Sequence, residues 1–162
     1  MKKIKSQFFG ASLIVLLSLA GMADVFPKTP DPRLTPGILC TEPVELRYSE
    51  KIAYCGRDVS TDLKEQIFSM YKSQLGFTFE GFDRSKFKID HLIPLCMGGA
   101  NDLKNLWPQH ESLYSKTDRL EELLCEKMYR GRVKQAQAID LMLRAKHNPD
   151  QVPAVYQFAG RL

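Results

Sequence analysis

The sequence predicts an α+β fold. Three observations carry this. Phe87-Lys88-Ile89 alternates apolar and polar residues as a half-buried strand does. A loop marked by Pro94 and Gly98-Gly99 follows, with a short returning strand behind it. Segments with apolar residues at helical spacing flank this unit on both sides, and no internal repeat or low-complexity tract is present.

Taken in order, the chain opens on the basic stretch Met1-Lys2-Lys3-Ile4-Lys5. It then runs almost wholly apolar from Phe8 to Ala20, with small residues at Ala20, Gly21 and Ala23. This is the pattern of a secretory signal peptide, with cleavage expected after Ala23 and Ala20 as the alternative point. A retained anchor is the competing reading, but the run is shorter than the ~20 apolar residues that a membrane span needs. Met22 stands where a lipid-bearing Cys would follow Leu19-Ala20-Gly21, which argues against a lipid anchor. The expected location is therefore secreted or periplasmic, with no membrane association after cleavage.

Export changes the charge argument. The net charge is +4, and Lys2, Lys3 and Lys5 supply three of those charges, leaving +1 without the signal. Overall basicity is thus no argument for nucleic-acid binding, and any basic surface must be local. About 139 residues remain after residue 23, enough for one domain with a core. The expected organisation is a signal at 1–23, a proline-rich lead-in at 24–43, one domain at 44–148 and a C-terminal tail at 149–162.

The lead-in holds five of the nine prolines. Proline removes backbone donors and restricts its neighbour, so an extended segment ordered only near Cys40 is expected. Residues 45–58 read as two short strands or an ordered loop. Ser60 is a fitting N-cap for a helix with Leu63, Ile67, Met70 and Tyr71 on one face, ended by Gly76. Phe77 to Phe82 is aromatic-rich and ambiguous. Leu103 to Trp107 reads as the returning strand, and Trp107 as a core residue. A long helix from about Gln109 carries Leu113, Thr117, Leu120, Leu124 and Met128 on one stripe and stops at Gly131. A last helix is expected over about Lys134 to Lys146, stopped by Asn148-Pro149. The stretch from Gln157 to Leu162 carries no signal.

Four cysteines, Cys40, Cys55, Cys96 and Cys125, would enter an oxidising compartment, where disulfides persist. Three pairings are open from the residues alone. The closely spaced ligand pairs of a structural zinc site are missing.

Two of the three histidines, His91 and His110, fall within one twenty-residue stretch together with Asp90 and Asn105. Phosphodiester hydrolysis needs a base near neutral pH, and an imidazole suits it. It also needs a cation beside the developing negative charge, and ligands for that cation. His91 is the candidate base and Asn105 the amide that orients it, or else a turn amide that caps backbone groups. Asp90 and His110 are the candidate metal ligands, with an exposed place in a first helical turn as the alternative for His110. Asp90 and His91 are adjacent and would point to opposite faces of a regular strand. They can share a site only if the strand bends or ends there.

The stretch Asp90-His91-Leu92-Ile93-Pro94-Leu95, then Gly98-Gly99, Asn101-Asp102 and Asn105-Leu106-Trp107-Pro108, resembles the HNH endonuclease motif. Thirteen residues separate His91 from Asn105, as in that motif. The chain is similar in particular to small exported bacterial HNH-type nucleases, through Trp107-Pro108, through Pro36-Gly37 to Cys40, and through Arg47-Tyr48 to Cys55. The motif covers about twenty residues, and a weaker similarity runs from Thr35 to about Lys146. The resemblance implies a ββα-metal core with flanking helices and an endonuclease of low sequence specificity. It implies a divalent cation, Mg²⁺ or Mn²⁺ ahead of Zn²⁺ or Ni²⁺, and a nucleic-acid substrate, DNA ahead of RNA. It matches His91 to the general base, Asp90 to a metal ligand and Asn105 to the central asparagine. It also implies that the motif loop packs on the following helix, so that Cys96–Cys125 and Cys40–Cys55 become the preferred disulfides.

One position departs from the family. The last ligand commonly lies about nine residues after the asparagine, where this chain has Tyr114. His110 precedes it by one helical turn on the same face. Lys116 and Arg119 are candidates for phosphate contact, against a solvated helix face interleaved with Glu121, Glu122 and Glu126. The competing function is a non-catalytic nucleic-acid-binding or interaction protein on a degraded HNH scaffold. A monomer is expected.

Overall fold

A computed structural model describes residues 25–162; the expected signal and its cleavage points lie outside them. The described residues form a mixed fold of four α-helices and two separate two-stranded antiparallel sheets. The first sheet pairs β1 (Glu45–Arg47) with β2 (Ile52–Tyr54). Helix α1 (Thr61–Leu75) follows. The Ser60 side chain accepts from the Leu63 amide at its start, and Gly76 closes it in the left-handed conformation.

The second sheet pairs β3 (Phe87–His91) with β4 (Leu106–His110). The returning strand thus begins and ends later than the expected Leu103 to Trp107. The Asp102 carboxylate accepts from the Lys104 amide and winds Leu103–Asn105 into a 3-10 turn, which removes those residues from the ladder. Pro108 is tolerated within β4 because the strand has a partner on one side only.

Helix α2 (Glu111–Tyr129) buries the expected stripe of Leu113, Thr117, Leu120, Leu124 and Met128. Helix α3 (Gln135–His147) ends at Asn148. The expected tail is instead helix α4 (Val152–Gly160), packed on α2 and α3 through Val152, Val155 and Ala159. Pro153 stands in its first turn, where a missing N–H costs no helical hydrogen bond. Among the described residues no helix is long and apolar enough to cross a membrane.

Two apolar clusters hold these elements. One joins α2, α3 and α4 with Ile52, Ile93 and Met97. The other joins α1 to the β3–β4 hairpin through Ile67, Tyr71, Ile89, Leu106, Trp107 and Leu113. Trp107 is a fully buried member of the second cluster. The disulfides are Cys40–Cys55 and Cys96–Cys125.

The proline-rich lead-in is ordered well before Cys40. Phe26 is buried, and the buried Thr35 hydroxyl bonds the Tyr71 hydroxyl at 2.8 Å and donates to the Leu106 carbonyl at 3.1 Å. The Gly37 amide donates to Lys104 and the Cys40 amide to Gly98, both at 2.8 Å, and Leu39 pairs with Gly99. An extended segment with few donors still offers those it has to a neighbouring loop, and the loop at 98–104 takes them.

Candidate active site

Asn105 ties the loop between β3 and β4 together from within. Asn105 is fully buried, and its Oδ1 accepts from the Ile93 amide at 2.9 Å. Its Nδ2 donates to the carbonyls of Ile93 and Ala100, each at 2.9 Å. The loop closes so tightly that a Cβ on Gly99 would lie 1.8 Å from the Ile93 carbonyl oxygen. Backbone cannot yield as a side chain can. Gly99→Ala is therefore expected to cost about 3 kcal/mol, at the upper end of usual overpacking penalties. Gly160→Ala meets nothing within 4 Å on α4 and should be neutral or stabilising by ~0.5–1 kcal/mol. Urea denaturation of both variants checks the pair, and similar midpoints would contradict the packing described.

This loop sets His91. Strand β3 ends there, so Asp90 and His91 both reach the same cavity despite adjacent positions. His91 Nε2 lies 2.9 Å from Asn101 Oδ1, while Asn101 Nδ2 donates to the Gly56 carbonyl at 2.8 Å. The amide is thus oriented with its oxygen toward the ring. That assigns the proton to Nε2 and leaves Nδ1 as the free acceptor. Burial pushes the imidazole below its ordinary pKa, with Arg57 and Lys146 acting in the same direction. The Asn101 bond and Asp90 offset this only in part. His91 is therefore neutral at neutral pH, as a base must be.

Asp90 is buried between two ammonium groups. Lys146, with 1% of its side chain exposed, donates to Asp90 Oδ2 and to the His91 carbonyl. Its Nζ also lies 3.9 Å from Glu121. Lys88, whose side chain is 34% exposed, lies 3.2 Å from Asp90 Oδ1 and bonds Asp118. Burial alone would raise the Asp90 carboxyl; Lys146 and Lys88 overcome it and hold the group below the ordinary carboxylate range. Glu121 goes the other way, raised chiefly by burial despite Lys146.

Asp90, Asp118 and Glu121 each offer one oxygen, all within 4.8 Å of one another. They line a cavity of about 320 Å³ with His91, Lys88 and Arg57. Arg57 is exposed and has no ion pair among the described residues. The Cys96–Cys125 bond staples the site loop to α2, which carries Asp118 and Glu121. Carboxylate oxygens suit hard cations such as Mg²⁺ or Mn²⁺. No imidazole or thiolate joins this cluster, so the donor set fits Zn²⁺ or Ni²⁺ less well.

Two expected roles need correction. His110 is not beside Asp90. It pairs with Phe87 at the far end of the hairpin, three register positions or ~10 Å along the strand from Trp107, the partner of Asp90. There it caps α2 through Ser112 and stacks on Phe26 with ring centroids 4.5 Å apart. A strand that runs on to residue 110 carries this imidazole away from the site. Asn105 does not orient the His91 ring; it holds the loop backbone, and Asn101 contacts the ring. Lys116 and Arg119 lie outside the cavity, in a neighbouring groove.

Sequence reasoning missed Arg57, Lys88, Asn101, Asp118, Glu121 and Lys146. Two carried a signal. Asp118 and Glu121 are three apart and share a helix face. Lys146 falls on the buried stripe of α3 set by Ala138, Leu141, Met142 and Ala145, an anomalous place for a lysine.

No protein-family model, curated protein or solved structure matches the chain.

Proposed function

We propose that the chain is an exported, metal-dependent endonuclease of the HNH type, with β3, β4 and α2 as its ββα-metal core. One observation carries this: a neutral imidazole with a free Nδ1 shares one cavity with three clustered carboxylates. His91 Nδ1 takes the proton from the attacking water, while the Asn101 bond at Nε2 holds the ring and stabilises the charge that forms. Arg57 is placed to bind a phosphate oxygen through its free guanidinium. Asp90, Asp118 and Glu121 would hold the cation. A bound divalent ion supplies charge stabilisation to the phosphate and the leaving oxygen. Lys88 and Lys146 face the same carboxylates and offset part of their negative charge, so these residues would hold such an ion weakly. Among the described residues no base-reading module accompanies the site, which supports low sequence specificity.

Incubation of plasmid DNA and of RNA with purified protein and Mg²⁺ or Mn²⁺ tests the reading, with Zn²⁺ and Ni²⁺ as further arms. Cleavage that stops in excess chelator and returns with metal is expected. Cleavage unaffected by chelator sinks the metal role.

A second reading rests on the same cluster. The Lys146 ammonium already bonds Asp90, and Tyr114 stands where the family commonly has its last ligand. These favour a non-catalytic binding protein on an HNH scaffold. Calorimetric absence of Mg²⁺ and Mn²⁺ binding, with no cleavage of either nucleic acid, would select it.

A further inference from the structure

Helix α4 packs on α2 and leaves a shallow groove of about 350 Å³ between them. Lys116 and Arg119 from α2 and Tyr156 from α4 line it. The cations further along α2 and at its C-cap are engaged: Lys127 donates to the Gly160 carbonyl at 3.1 Å, and Arg130 pairs with Glu126. Lys116 and Arg119 are exposed and have no ion pair among the described residues. Tyr156 is 42% exposed and stacks on no other ring among them. Arg119 and Tyr156 also line an adjoining hollow with Glu122, and Glu122 lines the His91 cavity. Groove and cavity are therefore neighbours across the outer face of α2.

We infer that this groove binds the nucleic-acid strand flanking the scissile phosphate, as a single strand. The charge pattern argues for this occupant. Two free cations on successive positions of one helix side match backbone phosphates, and an open phenol beside them matches a base face, which stacks on an aromatic ring whatever the base. Glu122 and Glu126 border the adjoining hollow, so phosphate is favoured at the Lys116 and Arg119 end. Tyr156 is a binding residue here, and α4 is a wall of the substrate path. The inference deepens the nuclease reading and takes its substrate class from it.

The test is fluorescence anisotropy of a short labelled single-stranded DNA with His91→Ala protein in chelator, so that binding is read without cleavage. Tyr156→Ala should weaken binding about tenfold, in the range of one lost stacking contact, and Tyr156→Phe should restore it. Lys116→Ala with Arg119→Ala should reduce the slope of log affinity against log salt by roughly 1.4, or ~0.7 per phosphate contact on a single strand. Lys64→Ala with Lys72→Ala, the same charge removed from α1, should leave the slope unchanged. The side chains changed in addition to His91 are exposed, and thermal unfolding matched to that of His91→Ala checks that the fold persists. Parent-like binding by Tyr156→Ala overturns the inference, as does an equal loss on removing the α1 pair or no binding of single strands at all. Preferential uptake of an acidic peptide, indifferent to Tyr156→Ala, overturns it in favour of a protein partner. Groove-dependent DNA binding by a protein that cleaves nothing refutes the nuclease reading and leaves the groove standing. Cleavage by the native protein with parent-like binding in Tyr156→Ala does the reverse.

Discussion

Lys146→Met is expected to lower the stability of the folded chain by about 3 kcal/mol. Removing one member of a buried ion pair typically costs ~3–5 kcal/mol, because the other is left charged and desolvated. Methionine keeps the unbranched shape, so little of the loss comes from a cavity. Lys88 still faces Asp90 but is one-third exposed and screened, which places the loss near the lower end of that range. For a domain of this size, a loss of 3 kcal/mol moves the melting temperature by on the order of 10 °C. Adding Asp90→Asn should recover part of it, since the buried carboxylate that Lys146 bonds directly is then neutral. The pH dependence has a fixed sign. The carboxyl titrates lower when folded than when unfolded, so its contribution is complete above its ordinary value of 3.8 and fades as pH falls through the folded value. Urea denaturation of the single and double variants measures these changes. A loss below ~1 kcal/mol in Lys146→Met would refute the buried pair as described.

His91→Ala is expected to reduce cleavage by ~10²–10⁴-fold, the range for removing a positioned general base. Native protein should show an acid limb in its rate profile below pH 6.5, because burial holds the imidazole below that ordinary value. The sign for stability follows. The unfolded state binds the proton first as pH falls, so stability drops from pH 6.5 down through the folded value. Asn101→Ala removes the carbonyl that assigns the tautomer and should lower the rate without changing metal binding. Single-turnover cleavage across pH, with denaturation in parallel, measures these effects. Retention of the rate within threefold by His91→Ala would remove His91 as the base.

Several parts of this architecture were legible before any coordinate. Ser60 and Gly76 bracket α1 because a side-chain oxygen and a left-handed residue meet needs local to a helix end. The α2 stripe was legible because burial follows a 3.6-residue period. Asp90 and His91 were nominated through the chemistry of carboxylate and imidazole, and they do line one cavity. Helix α4 was not legible, since two prolines crowd the start of a short segment whose burial depends on neighbours distant in sequence.

The site divides along the same line. Local sequence determined the hairpin unit, the helix that follows it, and the pair Asp90-His91, because each depends on residues within a few positions. Tertiary structure decided the rest. Strand register carried His110 to the far end of the hairpin, a matter of ~3.3 Å per residue that no spacing rule reveals. Packing of α3 placed Lys146 against Asp90 across 56 positions of chain, and the fold of α2 turned Asp118 and Glu121 to the same cavity. Electrostatic partners act through space. A residue's type shows what charge it can bring, and only the packed chain shows which opposite charge it meets.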